Sequence, residues 1–234
     1  MTKAGHAGRS STTRASGAAP LLRSAKASAT KATARPASSA LARFVREGFA
    51  AVVDGSMPSF TCPNNMSIIT GTPTSKHGIS GNFYLDTATW QPVVMTGPEL
   101  LRGDTIIAKF ASAGAKVVTI TAKDKLRKQL GKRLDVAQGH VSFSSELADQ
   151  CTLAENGIEN VLPWLGMEQP GMYSMELSLL VLEAGIKLLH ERRPELLYLS
   201  LTDWVQHKWA PDEEGAKRFY QRLDDCIGRL AALD

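Results

Sequence analysis

The apolar and polar positions of this chain fall into two alternating patterns. Lys116-Val-Val-Thr-Ile-Thr121 and Leu196-Leu-Tyr-Leu-Ser-Leu201 are short, nearly continuous apolar runs, the signature of strands buried on both faces. Between and after them come longer segments with helical spacing. Tyr173 to Arg193 repeats apolar residues at Leu177, Leu180, Val181, Ala184, Leu188 and Leu189 and is stopped by Pro194. Ala216 to Leu233 is amphipathic at the same period. Pro98 to Ala113 reads as a helix with proline in its first turn and Gly114 after its end. Asp124 to Leu134 reads as a short basic helix, and Leu41 to Gly48 as a helix closed by glycine. Phe49-Ala-Ala-Val-Val53 reads as a strand leading into a turn that holds Thr61. Strands alternating with helices predict an α/β fold, a mostly parallel sheet with helices on both faces. Ligands of such sheets bind beyond the carboxyl ends of the strands. Thr61 follows the first expected strand, Lys123 and Lys125 the second, and Asp203 the third, so one site built from all three is expected. No internal repeat is visible.

Composition divides the chain. Residues 1–40 are dominated by Ala, Ser, Thr, Lys and Arg and hold too few large apolar residues to bury a core, which predicts a disordered basic tail. Residues 41–234 then form the α/β domain. The formal net charge of +4 hides this division. Nine of the 27 basic residues lie in 1–46 with no acid among them, which leaves 18 basic against 23 acidic residues, about −5, for the remainder. Three readings fit the tail: an organelle transit peptide, a basic arm touching nucleic acid without sequence preference, or translation from a wrong start or frame. It has no aromatic residue to stack on bases, so no specific nucleic-acid partner is expected. Cys62, Cys151 and Cys226 are odd in number and far apart, which predicts no disulfide framework and a reducing, cytoplasmic setting. No apolar run approaches the ~20 residues of a membrane helix, and no signal-peptide core is present, so no membrane partner is expected.

Three places carry candidate chemistry. The first is Met57-Pro-Ser-Phe-Thr-Cys-Pro-Asn-Asn-Met-Ser-Ile-Ile-Thr-Gly71, which puts the Thr61 hydroxyl in a proline-bracketed turn just before a helix-like run. Amides at a helix N-terminus favour an anion, and a hydroxyl there can serve as nucleophile or metal ligand. The second is Thr-Ala-Lys123-Asp-Lys125, where two ammonium groups at a strand end can pin a small anion. The third is Asp203-x-x-x-His207, an oxygen and a nitrogen donor on one face of a helix, a mixture that suits zinc. Taken alone, each pattern also has an ordinary reading: Cys62 as a turn residue, the lysines as solvated, Asp203 as a helix cap. His77, among glycines, reads as a structural hydrogen-bonder. His6 and His140 have no supporting constellation, and His190 lies on the polar side of a helix. Asn82 suits either a turn or a donor to a phosphoryl oxygen.

Together these segments resemble a known family. Met57-Pro-Ser-Phe-Thr-x-Pro-Asn-Asn-x-Ser-Ile-x-Thr-Gly71, then His77-Gly-Ile-x-Gly-Asn-Phe83, resembles the phosphonoacetate hydrolases of the alkaline phosphatase superfamily, which includes type I phosphodiesterases and nucleotide pyrophosphatases. Ser144-Ser-Glu146, Glu155-Asn-Gly-Ile-Glu159, Tyr173-Ser-x-Glu-Leu-Ser178 and Tyr198-Leu-Ser-x-Thr-Asp-x-x-Gln-His-Lys-x-Ala-Pro211 continue the match from about Leu41 to the last residue. The resemblance implies two zinc ions and hydrolysis of a carbon–phosphorus bond to acetate and phosphate. It makes Thr61 the nucleophile and a ligand of one zinc, and Asp203 and His207 ligands of the other. Asn82, Lys123 and Lys125 would hold the substrate's phosphonate and carboxylate. Cys62 stands where the family usually has Asn. An early metal-binding Asp is not found in residues 1–40, and Asp54-Gly55 has its letters in the wrong place. A later Asp-His-Gly segment and a further His are also missing. The expectation is therefore a partial polypeptide with three of seven metal ligands, and a metal centre that does not complete itself from this chain. Two other readings compete: a phosphodiesterase or nucleotide pyrophosphatase of the same superfamily, and a non-catalytic remnant or nucleic-acid-associated protein. The paired lysines favour a small dianionic phosphonate substrate over a nucleotide. An unpaired sheet edge leaves oligomers possible.

Overall fold

The computed structural model describes residues 39–233. The tail expected over 1–40 lies outside the described residues, apart from Ser39 and Ala40. Ser39 caps helix α1 (Ala40–Glu47), its Oγ accepting from the Ala42 N–H at 3.2 Å. The same hydroxyl donates to Asp224 at 2.7 Å, and the Ala40 and Leu41 amides donate to that carboxylate as well.

A three-stranded parallel sheet is the centre of the fold. Strand β3 (Val117–Thr121) lies between β4 (Val141–Ser144) and β5 (Leu196–Ser200), in register Val118 to Val141 and Val117 to Leu196. Before it in sequence, β1 (Phe83–Asp86) and β2 (Gln91–Val94) form a separate antiparallel hairpin. Helices cover both faces of the parallel sheet, as the apolar pattern predicts. On one face Val118, Ile120, Val141 and Phe143 meet Leu177, Leu180, Val181, Ala184 and Leu188 of α8 (Glu176–Arg192). Gly185 permits that approach: a Cβ there would lie 2.6 Å from a Leu199 methyl.

On the other face Val117 joins Cys62, Met66 and Ile69 of α2 (Thr61–Thr70), Ile107 and Ala111 of α4 (Ile106–Ser112), and Leu126 and Leu130 of α5 (Asp124–Leu130). The short helix α3 (Thr74–His77) follows α2, and α6 (Leu153–Asn156) and α7 (Val161–Leu165) precede α8. The outer face of α8 buries Leu179, Leu182 and Ile186 against Phe219 and Cys226 of α10 (Glu214–Ala231) and Val205 of α9 (Trp204–Lys208).

The sequence expectations differ from this structure in definite places. Phe49–Val53 is extended but is no strand; Phe49 is 93% exposed and Val52 98% exposed. Among the described residues no strand pairs with it, and a β-rich run without a ladder partner has nowhere to bury its side chains. The helix expected from Pro98 begins only at Ile106. Gly103 takes positive φ, and Thr105 caps the helix by accepting from the Ala108 N–H at 3.0 Å. The basic helix stops at Leu130, where Gly131 ends it. Strand β4 and the β1–β2 hairpin were not foreseen. Val141-Ser-Phe-Ser144 is fully buried although half its residues are polar. A buried hydrogen bond from Thr119 Oγ1 to Ser142 Oγ, 3.0 Å, makes that possible.

Candidate active site

Each expected catalytic segment sits where the chain leaves a strand or enters a helix at one end of the sheet. Strand β3 ends at Thr121, whose hydroxyl donates to the Lys123 carbonyl at 3.0 Å and fixes the turn into α5. The Asp124 N–H opens that helix and donates to Glu146 Oε2 at 2.8 Å. The Asp124 carboxylate is occupied away from the lysines: Oδ1 accepts from Arg127 Nε at 2.7 Å and from Ser144 Oγ at 2.9 Å. Among the described residues neither Lys123 nor Lys125 forms an ion pair. Their two positive charges are presented to the space beyond the strand end. The Lys123 ammonium stands 4.8 Å from the Tyr173 ring centroid.

Strand β5 delivers Asp203. The Thr202 N–H donates to Ser178 Oγ at 3.1 Å, which ties the strand's exit to α8. Asp203 occupies the N-cap position of α9, and four residues on His207 Nε2 lies 3.2 Å from Asp203 Oδ2. Both side chains are open to solvent, 74% and 77% exposed.

Thr61 is the first residue of α2, and Gly71 in left-handed conformation closes that helix. Two asparagines lock the turn that presents it. Asn64 Oδ1 accepts from the Ser56 N–H at 2.9 Å while its Nδ2 donates to the Phe60 carbonyl. Asn65 Nδ2 donates to the Thr61 carbonyl at 2.9 Å, and its Oδ1 accepts from the Tyr198 hydroxyl at 2.7 Å and from Ser200 Oγ at 3.3 Å. Asn65 therefore fastens the start of α2 to β5. Burial pushes the Tyr198 phenol up to about 12, so it remains a hydrogen-bond donor.

These elements enclose a cleft of about 470 Å³ lined by Thr61, Lys123, Lys125, Asp203, His207 and Tyr173, among others. Five of the six expected site residues thus face one space. Asn82 does not line it; its Oδ1 accepts from the N–H of Cys62, the residue after Thr61, at 3.1 Å. Cys62 is fully buried, and that burial pushes its thiol up against a smaller opposing pull from Lys125, so it is a packing residue. His77 is buried and structural. Its Nδ1 accepts from the Ile79 N–H at 3.1 Å, which leaves Nε2 to donate to Ser67 Oγ at 3.0 Å. His140 is also buried, with Nδ1 accepting from the Val117 N–H. Asn65, Ser200 and Tyr173 were missed as site residues. All three lie inside motifs the sequence offers, but their partners are remote in the chain.

With this geometry in view, comparison with known proteins is decisive. The family model for type I phosphodiesterase / nucleotide pyrophosphatase matches residues 28–233. The chain belongs to that family. Two crystal structures of the phosphonoacetate hydrolase of Sinorhizobium meliloti 1021, one in complex with phosphonoacetate and one with phosphonoformate, are similar to this member. They show 46% and 47% identity with TM-scores of 0.80 and 0.79. Each match covers 83% of this chain and 47% of the neighbour. An uncharacterised pyrophosphatase/phosphodiesterase of Schizosaccharomyces pombe is 24% identical over 177 residues, 75% of this chain and 32% of the relative. This phosphodiesterase-family chain therefore spans less than half the length of the proteins it matches. Its fold is the α/β arrangement of the alkaline phosphatase superfamily.

The metal implied by the resemblance can be tested on the donors present. Two ligands of a tetrahedral zinc with bonds of ~2.0–2.1 Å lie about 3.3 Å apart. The 3.2 Å between Asp203 Oδ2 and His207 Nε2 matches that edge. Yet among the described residues no three His, Cys, Asp or Glu side chains gather into a metal-holding group. Two donors at a compatible spacing are present, and among the described residues a complete zinc site is not.

Proposed function

We propose that this chain carries the nucleophile and anion-binding half of a phosphonoacetate hydrolase site, which cleaves a carbon–phosphorus bond to give acetate and phosphate. The observation that carries the reading is the cleft itself, where the Thr61 hydroxyl at a helix N-terminus shares one space with two lysines that have no acidic partner among the described residues. The 46–47% identity to enzymes crystallised with phosphonoacetate and phosphonoformate supports the same substrate class.

In this reading Thr61 Oγ1 attacks phosphorus and the P–C bond breaks. The departing electron pair goes to the methylene carbon and spreads into the adjoining carboxylate. Lys123 and Lys125 stabilise that developing charge, since ammonium groups near a carboxylate gain most as its charge grows. The Thr61 hydroxyl proton passes to solvent, solvent returns one proton to the methylene carbon to complete acetate, and attack by one water on the phosphothreonine restores the Thr61 hydroxyl and releases phosphate. The overall change is phosphonoacetate plus water to acetate plus phosphate. At the start of α2 the Thr61 N–H would meet the phosphonate end, since the Cys62 and Asn64 N–H groups donate to Asn82 and to the Phe60 carbonyl and Pro63 has none. Asn82 acts by ordering the Cys62 amide next to Thr61. Zinc enters only as the ion that Asp203 and His207 would help to bind, to polarise phosphoryl oxygens.

The test is phosphate release from phosphonoacetate by the purified chain, with and without added zinc. Zinc-dependent release that is lost in Thr61→Ala meets the expectation for Thr61 and shows that Thr61, Asp203 and His207 suffice as donors. Release that persists unchanged in Thr61→Ala removes the nucleophile. A second reading, phosphodiester hydrolysis, is favoured by the family model and the fission-yeast relative. Hydrolysis of a nitrophenyl phosphodiester but not of phosphonoacetate would decide for it.

A further inference from the structure

Tyr173 is an aromatic ring left in water at the mouth of the cleft. It is 68% exposed, yet it lines the same space as Thr61, Lys125 and Asp203. A ring so exposed contributes little to the core, and its amphipathic face is open to whatever enters the cleft. Its segment is nevertheless held in place. Gln169 donates to the carbonyls of Ser145 and Glu146 at 2.9 and 3.1 Å and accepts from the Asp149 N–H at 3.2 Å, so the loop is fastened to the chain that follows β4. On the other side Met175 is buried against α8 and α10, and Glu176 opens α8. The ring is exposed while the backbone on both sides of it is anchored.

We infer that Tyr173 is a specificity-determining and positioning residue, which holds the Lys123 ammonium at the carboxylate end of the cleft and bounds that end against larger substituents. This rests on the substrate class proposed above. The ring attracts the ammonium at 4.8 Å, within the range of a cation–π contact. A lysine on four flexible methylenes would otherwise spread its charge over many rotamers. Fixed by the ring, Lys123 offers its remaining donors inward beside Lys125. A carboxymethyl group is small enough to meet the two ammonium groups beside the ring. An aryl or nucleoside group in the same place meets the ring face and loses the lysines as partners. Asp124 cannot do this work, because its carboxylate is engaged by Arg127 and Ser144.

The test is calorimetric binding of phosphonoacetate and of p-nitrophenylphosphonate to the wild-type chain, Tyr173→Phe and Tyr173→Ala. Urea unfolding verifies that each variant is folded. Tyr173→Ala is expected to raise the Kd for phosphonoacetate roughly two- to fivefold, the scale of an exposed cation–π contact, and to leave the aryl phosphonate unchanged or tighter. Tyr173→Phe keeps the ring and is expected to stay within about twofold of wild type. Equal weakening of both ligands in the alanine variant, no change there, or a phenylalanine variant as weak as alanine would each overturn the role of the ring. A folded wild-type chain that binds no phosphonoacetate would instead overturn the reading of the cleft on which this rests.

Discussion

Replacing Asn65 by alanine tests whether the start of α2 is held by the sheet or merely rests beside it. The side chain makes three hydrogen bonds, to the Thr61 carbonyl, from the Tyr198 hydroxyl and from Ser200 Oγ. The consequences for the three partners differ. The Thr61 carbonyl and Ser200 Oγ line the cleft side and regain water. The Tyr198 hydroxyl lies in a half-buried setting and is left without its side-chain acceptor. A lost hydrogen bond is worth about 1 kcal/mol net, and an unsatisfied buried hydroxyl adds about 1–3 kcal/mol. The expected loss in Asn65→Ala is therefore about 2–4 kcal/mol, read by urea unfolding followed through tryptophan fluorescence. Tyr198→Phe removes the hydroxyl together with its need, and should cost about 1 kcal/mol. The double variant should then lose less than the two single losses combined, with a coupling of about 1–2 kcal/mol. A single-variant loss below about 0.5 kcal/mol, or strictly additive losses, would refute the claim that Asn65 couples α2 to β5.

Gly157 takes φ +69°, and a Cβ there would lie 2.0 Å from the His140 carbonyl oxygen, a backbone atom that cannot swing aside. Gly157→Ala should lower stability by about 2–4 kcal/mol, from left-handed strain plus overpacking, measurable as a fall in Tm. Burial holds the His77 imidazole below its ordinary value of 6.5, and protonating Nδ1 would break its bond from the Ile79 amide. A folded-state value below the unfolded one means that this stabilisation is full above pH 6.5 and fades as pH falls through the lower folded-state value. The urea midpoint should fall between pH 7.5 and pH 5, and by less in His77→Gln; an equal fall in both proteins would remove His77 as a cause.

What the sequence made legible was local. The apolar runs of β3 and β5 and the helical spacing of α8 and α10 need only neighbouring residues to be recognised. So does the four-residue step from Asp203 to His207, which the structure turns into a 3.2 Å contact. Two kinds of feature escaped. Phe49–Val53 has the composition of a strand, but a strand is a relation between segments, and no described segment lies beside it to pair. Asn65 reads as one polar letter in a turn motif, and its partner Tyr198 is 133 residues away. Tyr173 has no meaning as a site residue until the chain brings Lys123 beneath its ring.

The lysine pair shows how the fold changes what a local pattern means. In Lys123-Asp124-Lys125 the acid stands between the bases, and the letters alone suggest a compensated, solvated cluster. Helix α5 separates them. Asp124 is turned toward Arg127 and Ser144, and Arg127 also reaches Glu155 at 2.7 Å. The acid is thereby spent on a cation that faces away from the cleft, and the two lysines face it without an internal counterion among the described residues. The site's charge is thus set by where one aspartate points. Releasing Asp124 by Arg127→Met would let its carboxylate compete for the lysines, so phosphonoacetate binding should weaken in that variant although no cleft residue has changed. Unaltered binding in a folded Arg127→Met protein would show that the orientation of Asp124 is held by Ser144 and the helix backbone, and that Arg127 serves stability alone.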